Sequence, residues 1–119
     1  MENSSSSKNN PVGFVAVLEV KRGPDTGMSF PIYGANMRIG SFRDRTNNVQ
    51  LRDEYVSSKH AKMTYDGTNF YVEDFGSKSE IWVDGIVVPP RQKVRVLEGS
   101  EIRLGQTVLV VRRSRASDT

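Results

Sequence analysis

The sequence contains no cysteine among its 119 residues and only one histidine. The lack of cysteine excludes disulfides, thiolate chemistry and cysteine-ligated metal sites. No run of about 18 apolar residues is present, so the sequence predicts no membrane-spanning helix. Residues 1–10 are polar and serine-rich, without the apolar core of a signal peptide. We therefore expect no membrane association and a nuclear or cytoplasmic location.

Groups that could carry out catalysis are scarce as well. The carboxylates of Asp53 and Asp74 have no nucleophile or metal-ligand cluster near them in the sequence, and His60 has no second base. We therefore expect no enzymatic activity, no catalytic residue, no metal ion and no cofactor. The net charge of +3 is a mild basic excess without a pattern of aromatic and basic residues for base stacking, so nucleic-acid binding is not expected.

Polar segments flank the predicted domain at both ends. Residues 1–11 contain four consecutive serines and paired asparagines, and such a segment cannot bury enough apolar surface to offset its ordering entropy. We interpret residues 1–11 as a disordered leader, residues 12–113 as one folded domain and residues 114–119 as a flexible tail.

Short apolar segments separated by turn residues make up the domain. Ala61–Tyr65 alternates apolar and polar residues, as a half-buried strand does. Asp66-Gly67 and Asp84-Gly85 are signals for tight hairpins, because a type I′ turn needs positive φ angles. About eleven such strands without a helix predict an all-β sandwich or barrel. The single tryptophan, Trp82, is expected to fill its core.

Three segments of this domain carry a family pattern. They are a Ser-x-x-His-Ala turn within residues 38–61, a twelve-residue block at residues 74–85, and a Gly-x-x-Ile-x-Leu-Gly end within residues 97–105. In this order they resemble the pattern of the forkhead-associated (FHA) domain. The resemblance implies a two-sheet β-sandwich whose loops at one end bind phosphothreonine peptides.

The resemblance also assigns roles to individual residues. Ser57 matches the phosphate-binding serine, and Ser58 stands in the neighbouring donor position. His60 matches the histidine that braces the binding loops, and Gly40 is expected to support them as well. Tyr55 occupies a position at which the family selects the residue about three places after the phosphothreonine. We expect Tyr55 to favour an apolar or polar side chain over an acidic one.

Several positions depart from the family pattern. Ser41 stands where the family has its phosphate-binding arginine, and we expect Arg43 in the following longer loop, or else Arg45, to supply the guanidinium fork that phosphate requires. Lys78 and Ser79 replace a Thr-Asn pair, so a positive charge and a shorter donor are expected to contact the phosphopeptide there.

Two functions therefore remain open. The first is binding of a phosphothreonine-containing protein or peptide, which the serine turn and the cations Arg43, Lys59 and Lys78 favour. The second is a degenerate FHA domain, a phosphate-independent scaffold for a protein partner or for self-association. The serines at positions 41 and 79 favour this alternative, as does the negative charge of Glu80 near the expected anion site. FHA domains usually belong to larger proteins, so we expect the same of this chain.

Overall fold

The computed structural model describes residues 16–33 and 36–113, and these form two β-sheets without a helix. The strands are β1 (Ala16–Arg22), β2 (Ser29–Ile32), β3 (Asn36–Ser41), β4 (Val49–Leu51), β5 (Ala61–Tyr65), β6 (Phe70–Asp74), β7 (Ile81–Val83), β8 (Ile86–Val87), β9 (Lys93–Val96), β10 (Glu101–Leu104) and β11 (Thr107–Arg113). The predicted all-β sandwich is thereby confirmed. The predicted leader and tail lie outside the described residues.

The five-stranded sheet brings the C-terminal ends of three strands to one end of the sandwich. One sheet has the order β2-β1-β11-β10-β7-β8 and the other the order β4-β3-β5-β6-β9. Strand β3 is parallel to β4 and antiparallel to β5, which is antiparallel to β6. Strands β3, β4 and β6 consequently run in the same direction. The loops that follow them therefore meet at the same end of the sandwich. These loops are residues 42–48, 52–60 and 75–80.

The core follows from the alternation of side chains along the strands. Leu18 and Ile102 of the larger sheet and Met63 and Val72 of the smaller one are fully buried in a single apolar cluster. Each such side chain contributes about 1.5–3 kcal/mol by leaving water. Phe70 is the largest side chain in this cluster. The sandwich thus supplies a rigid base for the loops.

Trp82 does not fill the core, and that expectation was wrong. In β7 it is Ile81 and Val83 that are buried, so the alternation of the strand turns Trp82 to the outer face of the sheet. There the guanidinium of Arg103 lies 5.2 Å from the centroid of the indole ring. This is a cation–π contact on a half-buried surface.

Of the two predicted tight hairpin turns, the one at Asp84-Gly85 is present. Asp84 and Gly85 have φ angles of 49° and 83°, and the flanking residues Val83 and Ile86 pair directly. This is the predicted type I′ turn.

The other hairpin is not a type I′ turn. Residues 66–69 form a four-residue loop between β5 and β6, in which Gly67 has a positive φ and Asp66 does not. The carboxylate of Asp66 accepts hydrogen bonds from the amides of Thr68 and Asn69, at 2.9 and 2.7 Å. These side-chain bonds hold a wider loop in place of the tight turn.

Two further findings concern residues 16–33 and 36–113. No helix among them is long and apolar enough to cross a membrane. No group of three or more histidine, cysteine, aspartate or glutamate residues among them is placed to hold a metal ion.

Candidate functional site

A cleft of about 380 Å³ lies where the three loops meet, and we refer to it as the loop cleft. It is lined by Ser41, Arg43, Glu54, Tyr55, Val56, Ser57, Ser58, Lys78 and Ser79. Six residues that were expected to contact a phosphopeptide therefore line one cleft, whereas Arg45 and Lys59 do not line it. Ser41, Glu54 and Val56 line it as well, although the sequence did not single them out as ligand contacts. The ligand contacts themselves remain predictions.

His60 lies behind the loop cleft and joins two of its loops. Its Nδ1 atom accepts the Ser57 amide N–H at 3.0 Å, so the proton of the neutral ring is on Nε2. Nε2 then donates to the Ser79 carbonyl at 2.9 Å. His60 is fully buried, and burial lowers the pKa of its imidazole below the ordinary value of 6.5. This geometry supports the expected bracing role.

The lowered pKa of His60 predicts a loss of stability in mild acid. In the unfolded state the His60 imidazole binds a proton near pH 6.5, and in the folded state it does so only at lower pH. Protonation therefore favours the unfolded state, and the free energy of unfolding falls as pH decreases below about 6.5. Denaturant unfolding of the ligand-free protein on both sides of this pH measures the loss. Because His60 is the only histidine in the sequence, its imidazole NMR signals report the titration directly. A measured pKa at or above 6.5 would contradict the prediction.

Gly40 and Asn47 hold the first two loops close together. A Cβ atom on Gly40 would lie 2.2 Å from the Ser58 carbonyl oxygen, so any larger residue would push the loops apart. The Asn47 amide nitrogen donates to the carbonyls of Ser41 and Ser58, at 3.0 and 2.7 Å. Gly40 lies against the second loop, and the supporting role expected of it stays a prediction. Asn47 gave no signal in the sequence beyond that of an ordinary loop asparagine.

Asp53 ties the second loop to the turn between β10 and β11. Its buried carboxylate accepts the amides of Tyr55 and Gln106 at 2.9 and 2.7 Å, and the Thr107 hydroxyl at 2.7 Å. Three donors satisfy this charge within the protein, as a buried carboxylate requires. Asp53 therefore connects the backbone at Tyr55 to the turn between β10 and β11.

Asp74 fixes the third loop through contacts within the loop itself. Its Oδ1 atom accepts the amides of Gly76 and Ser77 at 2.8 and 3.0 Å, and the Ser77 hydroxyl. The Ser77 hydroxyl also contacts the Ser79 carbonyl. The loop that carries Lys78 is thereby fixed by side chains at its start.

The hydroxyl groups of the loop cleft differ in what they can offer a ligand. The Ser57 Oγ atom accepts the Lys78 amide at 3.2 Å, so the Ser57 hydroxyl proton remains available for a ligand. The Ser79 hydroxyl donates to the Tyr55 carbonyl at 3.3 Å and has no second proton. Of these two serines, Ser57 is the better donor.

The charges of the loop cleft come from three side chains. Arg43 and Lys78 are positive and Glu54 is negative, which leaves a net positive charge. The Arg43 guanidinium lies 5.5 Å from the Phe42 ring centroid, and within the described part of the chain it makes no ion pair with a carboxylate. Arg45 does not line the cleft.

Lys59 and Glu80, which the sequence also placed near the anion site, do not line the loop cleft. Lys59 forms an ion pair with Asp44 at 3.0 Å. Hydrogen bonds from Thr46, together with the bond from Lys59, lower the pKa of Asp44 to about 2. Glu80 lines an adjoining cleft instead.

This arrangement, a β-sandwich that presents a polar cleft on the loops at one end, is typical of domains that bind ligands through loops on a rigid scaffold. The sequence model described as FHA domain matches residues 37–105, and the chain belongs to this family. The resemblance inferred from the sequence is thereby confirmed.

Individual proteins agree with this assignment. The chain is similar to FhaB of Mycobacterium tuberculosis, with 34% identity over 95 residues that make up 80% of this chain and 59% of FhaB. The solution structure of the FHA domain of an Arabidopsis thaliana protein superimposes with a TM-score of 0.77 at 25% identity, over 92% of this chain and 93% of that one. FhaB is a bacterial protein, which gives no support to the nuclear alternative for location.

A third similar protein has been solved with a ligand. Mycobacterium tuberculosis EmbR, in complex with a low-affinity phosphopeptide, has a TM-score of 0.72 at 28% identity. The likeness covers 85% of this chain and 25% of EmbR. This chain therefore spans about three fifths of FhaB and a quarter of EmbR.

Proposed function

We propose that this chain binds phosphothreonine-containing proteins or peptides in the loop cleft. The observation that carries the proposal is the convergence of two cations, Arg43 and Lys78, with the hydroxyl of Ser57 in one cleft of about 380 Å³. A phosphothreonine carries about −1.5 to −2 charges and three strong acceptor oxygens. Cations and a fixed hydroxyl donor are the groups that such an anion requires.

Each group has a distinct part in the proposed complex. Arg43 supplies a planar fork for two phosphate oxygens, and Lys78 supplies a mobile point charge. The Ser57 hydroxyl donates to the third oxygen, with the exposed Ser58 beside it. Val56 is the aliphatic residue of the lining, and it is the natural contact for the threonine methyl group. Tyr55, at the rim, contacts a side chain that follows the phosphothreonine.

The complex of EmbR with a phosphopeptide supports this proposal by similarity. The proposed activity needs no catalytic group, metal ion or cofactor, so we propose a binding domain that is not an enzyme. Since the chain spans 59% of FhaB, we also propose that it acts within a larger polypeptide.

The test is a fluorescence-anisotropy titration with degenerate phosphothreonine peptides, with threonine and phosphoserine versions of the same peptides as controls. Charge-assisted hydrogen bonds contribute about 1.5–3 kcal/mol each, so two of them make binding to phosphothreonine at least about 100-fold tighter than to threonine. The phosphoserine peptides are expected to bind less tightly, because they lack the methyl group that contacts Val56.

Equal affinity for the phosphothreonine and threonine peptides would contradict the proposal. It would favour the degenerate scaffold, for which Ser79 provides a specific observation. Its hydroxyl proton is used within the protein, in the bond to Tyr55.

Glu54→Gln is expected to tighten phosphopeptide binding by about 2- to 5-fold at low salt, because it removes an exposed negative charge from the cleft. The gain is expected to shrink as salt screens the charges. Anisotropy titrations at two salt concentrations measure both effects. Glu73→Gln, on β6 and outside the cleft lining, is the matched control. Weaker binding by the Glu54 variant would show that this carboxylate contacts the peptide favourably.

A further inference from the structure

Two more clefts lie beside the loop cleft and share residues with it. The middle cleft, of about 290 Å³, shares Tyr55 and Ser79 with the loop cleft. The outer cleft, of about 320 Å³, shares Trp82 and Arg103 with the middle cleft. The three clefts therefore form one continuous track from the loops to the outer face of the six-stranded sheet.

Two arginines, Arg22 and Arg103, line the outer cleft. Arg22 of β1 and Arg103 of β10 both stand opposite Val108 of the intervening strand β11. Their Cα atoms are about 10 Å apart, since neighbouring strands are about 4.8 Å apart. Neither guanidinium forms an ion pair within residues 16–33 and 36–112. The carboxylate in the lining, Glu101, is paired with Lys21 at 2.5 Å.

The middle cleft has a different character. Tyr55 and Trp82 offer aromatic surface, and Glu80 adds a negative charge that opposes the positive charge of Arg103. An acidic side chain would gain little here, whereas an uncharged one can pack on the rings. Further along the track, where Glu80 is absent from the lining, an acidic side chain meets Arg103 and Arg22 together.

We infer that one flank of the phosphothreonine ligand continues along this track and sets acidic side chains against Arg103 and Arg22 in the outer cleft. The inference rests on the proposed phosphothreonine binding. Because neighbouring clefts share lining residues, the bound phosphothreonine peptide itself is the natural occupant of all three. The positive charges of Arg22 and Arg103 favour acidic side chains on that peptide. The contact of Arg103 with the Trp82 ring, at 5.2 Å, holds one guanidinium in place for the acid. The ligand is thus a phosphothreonine peptide with an uncharged segment followed by an acidic one.

The test compares phosphothreonine peptides that carry glutamates in the distal part of either flank with peptides that carry glutamines there. Anisotropy titrations at low salt use the wild-type protein, the double variant Arg22→Gln and Arg103→Gln, and a control with Lys93→Gln and Arg95→Gln. The control residues are exposed on β9, the edge strand of the five-stranded sheet. Their replacement changes the net charge by the same amount as replacement of Arg22 and Arg103.

Glutamates in one flank are expected to tighten binding to the wild type by about 3- to 10-fold, since partly exposed ion pairs are individually modest. The Arg22 and Arg103 double variant loses this gain and the Lys93 and Arg95 control keeps it. Phosphate-dependent binding of the glutamine peptides by all three proteins shows that the double variant is folded.

Equal wild-type affinity for the glutamate and glutamine peptides overturns the inference and leaves the proposed function intact. The same conclusion follows if both double variants lose the gain equally, because general charge attraction then explains it. Failure of every phosphopeptide to bind better than its threonine version overturns the proposed function, and the inference with it. Glutamate peptides that bind equally tightly with and without phosphate mean that the acids bind independently of the loop cleft, and this too contradicts a continuous ligand.

Discussion

Arg43→Ala is expected to weaken phosphothreonine-peptide binding by about 10- to 100-fold, because one charge-assisted contact to phosphate contributes about 1.5–3 kcal/mol. Ser41 stands where the family pattern has an arginine, and its side chain instead accepts the Arg43 amide at 3.1 Å. That bond belongs to the turn that carries the Arg43 side chain to the cleft. Anisotropy titration of the variant against a phosphothreonine peptide measures the loss.

Arg45→Ala is the matched control for this prediction. Arg45 lies in the same loop and carries the same charge, but it does not line the loop cleft. We expect its replacement to change affinity by no more than the small general effect of removing one exposed charge. Equal losses of affinity in the two variants, or a loss confined to the Arg45 variant, would contradict the assignment of the phosphate contact to the Arg43 guanidinium.

Asp53→Ala is expected to lower the free energy of unfolding by about 3–5 kcal/mol, because it leaves three hydrogen-bond donors without their acceptor. These donors are the amides of Tyr55 and Gln106 and the Thr107 hydroxyl. For a domain that is stable by about 5–15 kcal/mol, this is a large fraction of the total. Denaturant unfolding measures the change.

The adjoining carboxylate provides the control for this prediction. Glu54 is exposed and lies in the same loop, so Glu54→Ala is expected to change the free energy of unfolding by less than about 0.5 kcal/mol. Asp53→Asn keeps one carbonyl acceptor and is expected to fall between the two. If the alanine variants at both positions were equally stable, Asp53 would not be the attachment between the second loop and the turn before β11.

The strands and the cleft residues could be predicted from the sequence for two different reasons. Alternation and turn residues are local signals, and they predicted the strand β5 with its observed bounds. The position of Ser57 and Lys78 at one cleft was expected from the resemblance to the FHA pattern. Arg43, with Arg45 as the alternative, was expected there because phosphate requires a guanidinium that Ser41 does not supply. Strand periodicity alone says nothing about which loops meet.

What the sequence did not predict depends on contacts between distant residues. The Asp53 carboxylate bonds to Thr107, 54 positions away, and its role cannot be inferred from its neighbours. Trp82 was expected in the core, but the buried positions of β7 belong to Ile81 and Val83. The Asp66 loop was mistaken for a tight turn because its side-chain bonds replace the backbone geometry that the dipeptide favours.

The location of the phosphate is the central claim, and an NMR titration of the isotope-labelled protein with a phosphothreonine peptide tests it most directly. We predict that the largest amide shift changes fall at Ser57, Ser58 and Lys78, with a change at the Arg43 side-chain Nε–H, and that the threonine peptide causes none of them. Shift changes confined to another surface, or the same changes with both peptides, would contradict binding of the phosphate in the loop cleft.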